Sequence, residues 1–250
     1  MNIYTLSVAC AWPPRPTAPA RPKLNFCADW LPDNGFIPGA LVQALPEPGG
    51  MSFILRDEYI MKYSDLLNAT KEKGGALITV SSRTRMDISG KCVSDAGLDI
   101  GDPLLGIYGY GLIKTIKLPG NARVIPVGKD KHTVRLTGAW MTGLGFAVGS
   151  AATAAISPGS VTFKLHEAGA DDYHALVKYS RQSKGKVAQV HMKGYTQCLE
   201  VSSMLLEKSG FSDCDAFIAT CERGVITVTP FHAEQLGFDK SRGLAPHYID

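Results

Sequence analysis

At 250 residues the chain is long enough for one sizeable core or several small ones. Its 45% hydrophobic and 20% charged residues exclude a disordered chain, and a net charge of +3 permits an anionic partner without demanding one. Six cysteines, at 10, 27, 92, 198, 214 and 221, show neither C-x-x-C nor a zinc-type spacing with histidine. Most of them read as buried small hydrophobes in a reducing compartment, so a cytoplasmic location is expected.

The N-terminal stretch MNIYTLSVACAW is apolar but lacks the basic flank of an export signal. Residues 5–10 read instead as a strand. The segment 24–55, LNFCADWLPDNGFIPGALVQALPEPGGMSFIL, then gives a short alternating strand and a helical turn that stops at Gly35-Phe36. A second glycine follows at Gly39, and two strands join across Gly49-Gly50. DEYIMKYSDLL, at 57–67, predicts a helical linker over 57–73. A strand at 76–81 and the segment 86–118 repeat the order, with Gly97-Leu98, Gly101 and a turn at 109–111. The run at 122–127 and the segment 134–165, VRLTGAWMTGLGFAVGSAATAAISPGSVTFKL, repeat it again.

A second helical linker over 170–183, containing DDYHALVKYSRQ, resembles the first. The run at 187–192 and the segment 199–231 make a fourth copy, with Gly210-Phe211 and Gly224. Glycine suits the left-handed position that ends a helix, and the apolar residue after it packs back onto the turn. Cys214 stands in the fourth copy where the others have a second glycine, so a different turn is expected there. Residues 136–163 carry no charge and could span a bilayer, but six glycines and prolines interrupt them, from Gly138 to Gly159. Strands and turns are expected there, and no membrane partner.

The intervals between Gly35, Gly97, Gly145 and Gly210 run long, short, long, so a two-module half has been duplicated. The halves are 1–118, with modules 4–56 and 76–118, and 119–231, with modules 122–165 and 187–231. Residues 232–250 are left as a C-terminal tail. The fold class is mainly β with short helices.

VRLTGAWMTGLGFAVG in the third copy, and LNFCADWLPDNGFIPG with its lead-in LSVACAWPPRP in the first, resemble the SymE-like toxin family of SpoVT/AbrB-type swapped-hairpin proteins. The resemblance implies four tandem modules in which modules one and two, and three and four, interlock as two pseudo-dimeric β-barrels within a monomer. It implies a bacterial protein of a toxin–antitoxin system, or a regulator, that binds DNA or RNA.

The charges agree with such a partner. The connection between the first two strands of each module is basic: Arg15, Arg21 and Lys23 in the first, and Arg83, Arg85 and Lys91 in the second. The third holds Lys129, Lys131 and Arg135, with Arg123 upstream, and the fourth Lys184, Lys186 and Lys193, with Lys178 and Arg181 before them. Asp87 and Asp130 are the acids among the first three. Such residues contact phosphates and position a duplex without reading its sequence. The helical turns, where AbrB-type regulators also carry DNA-contacting arginines, are not arginine-rich here.

The resemblance also raises RNA cleavage, for which His132 and His191 are the best placed of six scattered histidines, yet no catalytic motif appears and the catalytic residues stay unknown. Paired acids at Asp171-Asp172 and Asp213, Asp215 read as turns and helix starts. No motif for a cofactor or a metal is found. Trp30 and Trp140 occupy one repeat position and read as packing residues. An RNA endonuclease and a protein-interaction module that binds no nucleic acid are the alternatives.

Overall fold

The structure, a computed structural model, describes residues 2–11, 20–56, 62–127, 133–166 and 186–236. It is mainly β and divides into two compact units: the first is Met1–Gly120 together with the described residues from Glu234, and the second is Asn121–Ala233.

In the first unit, β1 (Asn2–Ser7), β2 (Ala9–Ala11) and β3 (Arg21–Cys27) lead into the short helix α1 (Trp30–Asp33) and the hairpin β4 (Leu41–Glu47) and β5 (Gly50–Arg56). Helix α2 (Tyr63–Glu72) follows. β6 (Ala76–Thr79), β7 (Arg85–Ser89), α3 (Lys91–Asp95), β8 (Pro103–Gly109) and β9 (Leu112–Lys117) then repeat the order. Six strands form one sheet in the order β1-β8-β9-β5-β4-β6, and three form another, β2-β3-β7. Each half's leading strand therefore pairs with the hairpin of the other half: Tyr4 opposes Gly106 on β8, and Ile78 opposes Val42 on β4. The strand ends are fastened in the same crossed way. Gly101 donates to the Val8 carbonyl at 2.8 Å, and Gly39 donates to that of Val80 at 2.9 Å.

The second unit holds β10 (Ala122–Pro126), β11 (Thr133–Thr137), a 3-10 turn (Ala139–Leu144), β12 (Ala151–Ser157) and β13 (Ser160–Leu165). Its other half is β14 (Lys186–Gln189), β15 (His191–Lys193), β16 (Thr196–Ser202), α4 (Leu205–Lys208), β17 (Ala216–Glu222) and β18 (Val225–Phe231). The sheet orders, β10-β17-β18-β13-β12-β14 and β11-β16-β15, mirror those of the first unit.

Alternation on the three-stranded sheets decides what each side chain meets. Leu24, Phe26, Met86 and Ile88 point into the first core, and Val134, Leu136, Leu199 and Val201 into the second. Asn25, Asp87, Arg135 and Glu200, one step out of phase, face away.

The helical turns close alike in all four copies. Gly35, Gly97, Gly145 and Gly210 have φ between 73° and 94°. Their amides donate to the carbonyl three residues back. The next amide, from Phe36, Leu98, Phe146 or Phe211, donates to the carbonyl five residues back. This is the paired bonding of a Schellman cap. The four apolar residues are buried, as are Leu31, Val93, Met141 and Leu206, whose carbonyls they reach. Cys214 does not share the positive φ of Gly39, Gly101 and Gly149, and its thiol bonds to the Phe211 carbonyl instead. The turn of the fourth copy does differ.

The sheets are open, and the expected closed barrels do not form. β1 and β6, and likewise β10 and β14, are edges with no ladder between them. The chain leaves β1 after Ser7 and enters the separate three-stranded sheet at Ala9, so the hydrogen-bond ladder breaks where a barrel would close.

The first linker forms helix α2 over Tyr63–Glu72, held to the sheet by Gln43 Nε2, which donates to Thr70 Oγ1 at 2.8 Å. Residues 57–61, the second linker and the tail after 236 lie outside the described residues. The uncharged stretch from 136 is β11, the 3-10 turn and the hairpin β12–β13. Among the described residues no helix is long and apolar enough to cross a membrane.

Candidate nucleic-acid interface

In the first unit the basic positions lie on and around the β3–β7 ribbon. Lys23 opposes Ser89, Asn25 opposes Asp87, and Cys27 opposes Arg85. Asp87 sits mid-ribbon and takes Lys23 Nζ at 3.3 Å and Arg85 Nε at 2.9 Å. Two of the expected phosphate contacts are therefore engaged by an acid of the same ribbon.

Arg21 and Lys91 lie together at one end, where Gly90 donates to the Pro22 carbonyl at 3.2 Å and carries the pairing one step beyond Lys23. Arg83 lies at the other end. The seven residues of β3 separate the ends by about 20 Å. Arg21, Arg83 and Lys91 are exposed, with no ion-pair partner among the described residues.

Arg83 stands in the tight five-residue connection, 80–84, between β6 and β7. Thr84 donates its amide to the Ser81 carbonyl at 2.9 Å, and Ser81 donates to that of Arg85 at 2.9 Å. Thr84 has φ 50°, a left-handed conformation that a β-branched residue rarely adopts and that glycine usually fills in such loops. Arg83 and Thr84 help to line a shallow cavity of about 260 Å³, together with Cys27, Asp29 and Pro32.

The second unit repeats the acid in the same register. Arg135 opposes Glu200 and donates from Nε to Oε2 at 2.7 Å, and Lys193 Nζ approaches the same oxygen at 3.9 Å. The Arg135 hydrogen bond holds the Glu200 carboxyl below its ordinary pKa. Cys198 lies on the same strand, and its thiol is pushed up by burial and by Glu200. Lys186 donates to the Ser202 carbonyl.

Arg123 stands on β10, at the opposite edge of the six-stranded sheet from Lys186 on β14, so those two are not brought together. Its guanidinium lies over the Trp140 indole, 5.1 Å from the ring centre. Arg15, Lys129, Lys131, Lys178, Arg181 and Lys184 lie outside the described residues.

Trp30 and Trp140 are half buried against their cores, as their shared repeat position implied. Trp30 belongs to an aromatic cluster: Tyr108 stacks on it at 3.7 Å and 12°, and Tyr4 lies 5.1 Å away. The Trp140 Nε1–H donates to the Thr137 carbonyl at 2.8 Å.

His191, on β15, is exposed and lies beside the carbonyl of Gln189. His132 lies outside the described residues. No group of three His, Cys, Asp or Glu able to hold a metal ion occurs among the described residues. What the sequence did not show is the pairing of cations around an acid at the centre of each ribbon. Asp87 stood out as an acid within a basic connection, whereas Glu200 gave no signal of its own.

No family profile matches the chain, and no curated protein matches it in sequence. Among solved structures it is weakly similar to the pol III beta of Caulobacter crescentus, with 13% identity and a TM-score of 0.12, over 77% of this chain and 56% of that one. A DNA polymerase III subunit beta sliding clamp from Bartonella birtlesii gives 11% identity and a TM-score of 0.12, over 84% and 66%. The chain spans little more than half the length of the first of these clamps. Overlap this slight carries no argument about fold or activity.

Proposed function

We propose that this chain is a SymE-like protein of tandem AbrB-type swapped-hairpin modules that binds DNA or RNA through phosphate contacts, as a toxin of a toxin–antitoxin system or as a regulator. The modular part of this reading is supported by the crossed pairing, in which each leading strand completes the other half's hairpin, and by the four matching caps. The observation that carries the binding reading is the placement of Arg21, Lys91 and Arg83. They are exposed at the two ends of one ribbon, while Asp87 engages the cations between them. A nucleic acid lying along the ribbon meets positive charge at both ends. Phosphate contacts of this kind release counterions and make affinity depend steeply on salt.

The test is fluorescence anisotropy of labelled duplex DNA and single-stranded RNA at low and at physiological salt. Micromolar or tighter binding that weakens steeply with salt supports the proposal; absence of binding to both at low salt refutes it. A protein partner is the second reading, favoured by Met192 and the fully exposed Tyr195 on the β15–β16 hairpin.

A further inference from the structure

Three positions distinguish the surface around Trp140 from its counterpart in the first unit. Trp30 and Trp140 each stand five residues before the capping glycine of their turn. On the neighbouring strand Tyr4 opposes Gly106, and at the equivalent place Arg123 opposes Ala219. Two residues further along come Tyr108 in the first unit and Cys221 in the second.

In the first unit these residues form a closed set. Gly106 lies so near the Tyr4 ring that a Cβ there would stand 2.1 Å from it. Tyr108 stacks on the Trp30 indole, and burial pushes the Tyr4 hydroxyl well above its ordinary pKa. In the second unit Ala219 fills the space that Gly106 leaves for a ring, and a guanidinium replaces Tyr4. A thiol replaces the stacking phenol. No aromatic ring contacts Trp140 among the described residues, so its half-exposed indole keeps a partner of charge but none of stacking. Arg123 has no carboxylate partner among the described residues.

From this difference we infer that Trp140 and Arg123 form a binding site for one unpaired nucleotide, the indole stacking on the base and the guanidinium meeting its phosphate. The base takes the role toward Trp140 that Tyr108 takes toward Trp30. Indole stacks on any of the bases, and the always-charged guanidinium fork matches a phosphate. The inference rests on the nucleic-acid reading above and narrows it to single strands at this place.

The test compares anisotropy of a labelled oligothymidylate with that of an abasic strand of equal length and charge. The wild type is set beside Trp140→Ala, Trp140→Phe, Arg123→Met and Cys221→Tyr, the last supplying the missing ring. The wild type is expected to prefer the oligothymidylate by about tenfold. Trp140→Ala and Cys221→Tyr should abolish that preference and Trp140→Phe retain most of it. Arg123→Met should weaken binding of both strands. Should Cys221→Tyr fail to fold by circular dichroism, the two Trp140 variants decide. Equal wild-type affinity for the two strands, or a preference that survives Trp140→Ala, overturns the site and leaves the phosphate reading intact. Absence of binding to either strand, in a protein that also fails to bind duplex, overturns both.

Discussion

Arg135 and Glu200 face each other across β11 and β16, joined Nε to Oε2 at 2.7 Å, in the register that Asn25 and Asp87 occupy across β3 and β7. Glu200 takes a second cation from Lys193, and Asp87 takes Lys23 and Arg85. Each ribbon thus has an acid at its centre with two cations around it. The pairing is partly exposed, so the coupling in an Arg135→Ala, Glu200→Ala double-mutant cycle is expected at about 0.2–1 kcal/mol. Its pH dependence has a definite sign. The folded pKa of Glu200 is lowered, so its contribution is present above the unfolded value of about 4.3 and is lost as pH falls through the folded value. Urea melts of wild type and Glu200→Gln should differ at neutral pH and converge only once the pH has fallen below the lowered folded value. A gap that persists in acid would contradict the pairing.

Thr84 gives a prediction of the opposite sign to most substitutions. Its φ of 50° is one that glycine adopts freely, and a strained residue costs of order 1–3 kcal/mol. The Thr84→Gly exchange returns some of that through the floppier unfolded chain. A net gain of about 1 kcal/mol is expected in the urea midpoint. A loss would show that the Thr84 side chain holds the turn.

The capped turns were legible because their chemistry is local. Only glycine is comfortable in the left-handed position, and the apolar residue after it must be buried, so Gly35-Phe36 and Gly145-Phe146 announce themselves. The ion clusters were not legible. Arg135 and Glu200 are far apart in the chain and meet through strand register, so a count of charges along the sequence places Arg135 and Lys193 among free cations. Nor does local sequence show closure. Whether β1 and β6 meet depends on where the ladder breaks at Val8, and the alternation of side chains within a strand is the same in an open sheet and a barrel.

Gly50 tests the central pairing of the two hairpins in the first unit. A Cβ there would lie 2.0 Å from the Thr115 carbonyl oxygen, which is backbone and cannot swing away. Gly50→Ala should cost about 3 kcal/mol or more by forcing β5 and β9 apart. The same measurement on Phe36→Ala should give about 3–5 kcal/mol from the cavity left under the first cap. A near-neutral Gly50→Ala would mean that β5 and β9 are not neighbours.

The cysteines differ in access. Cys27 is exposed, whereas Cys92 is buried and its thiol is pushed up to about 11 by burial and by the nearby Asp95. The thiolate is the reactive form, so iodoacetamide at neutral pH should label Cys27 in the folded protein and Cys92 only after unfolding. Peptide mass mapping reads this directly, and rapid native labelling of Cys92 would contradict its burial.

The most direct test of the binding account is the salt slope of duplex affinity for the wild type and for Arg21→Ala, Arg83→Ala, Lys91→Ala combined. Each lost phosphate contact on a duplex lowers the slope of log affinity against log salt by about 0.9, so the triple variant should lose about 2.7 and bind weakly at every salt concentration. An unchanged slope and affinity in a correctly folded triple variant would show that the ends of the ribbon make no phosphate contacts, and would contradict the account.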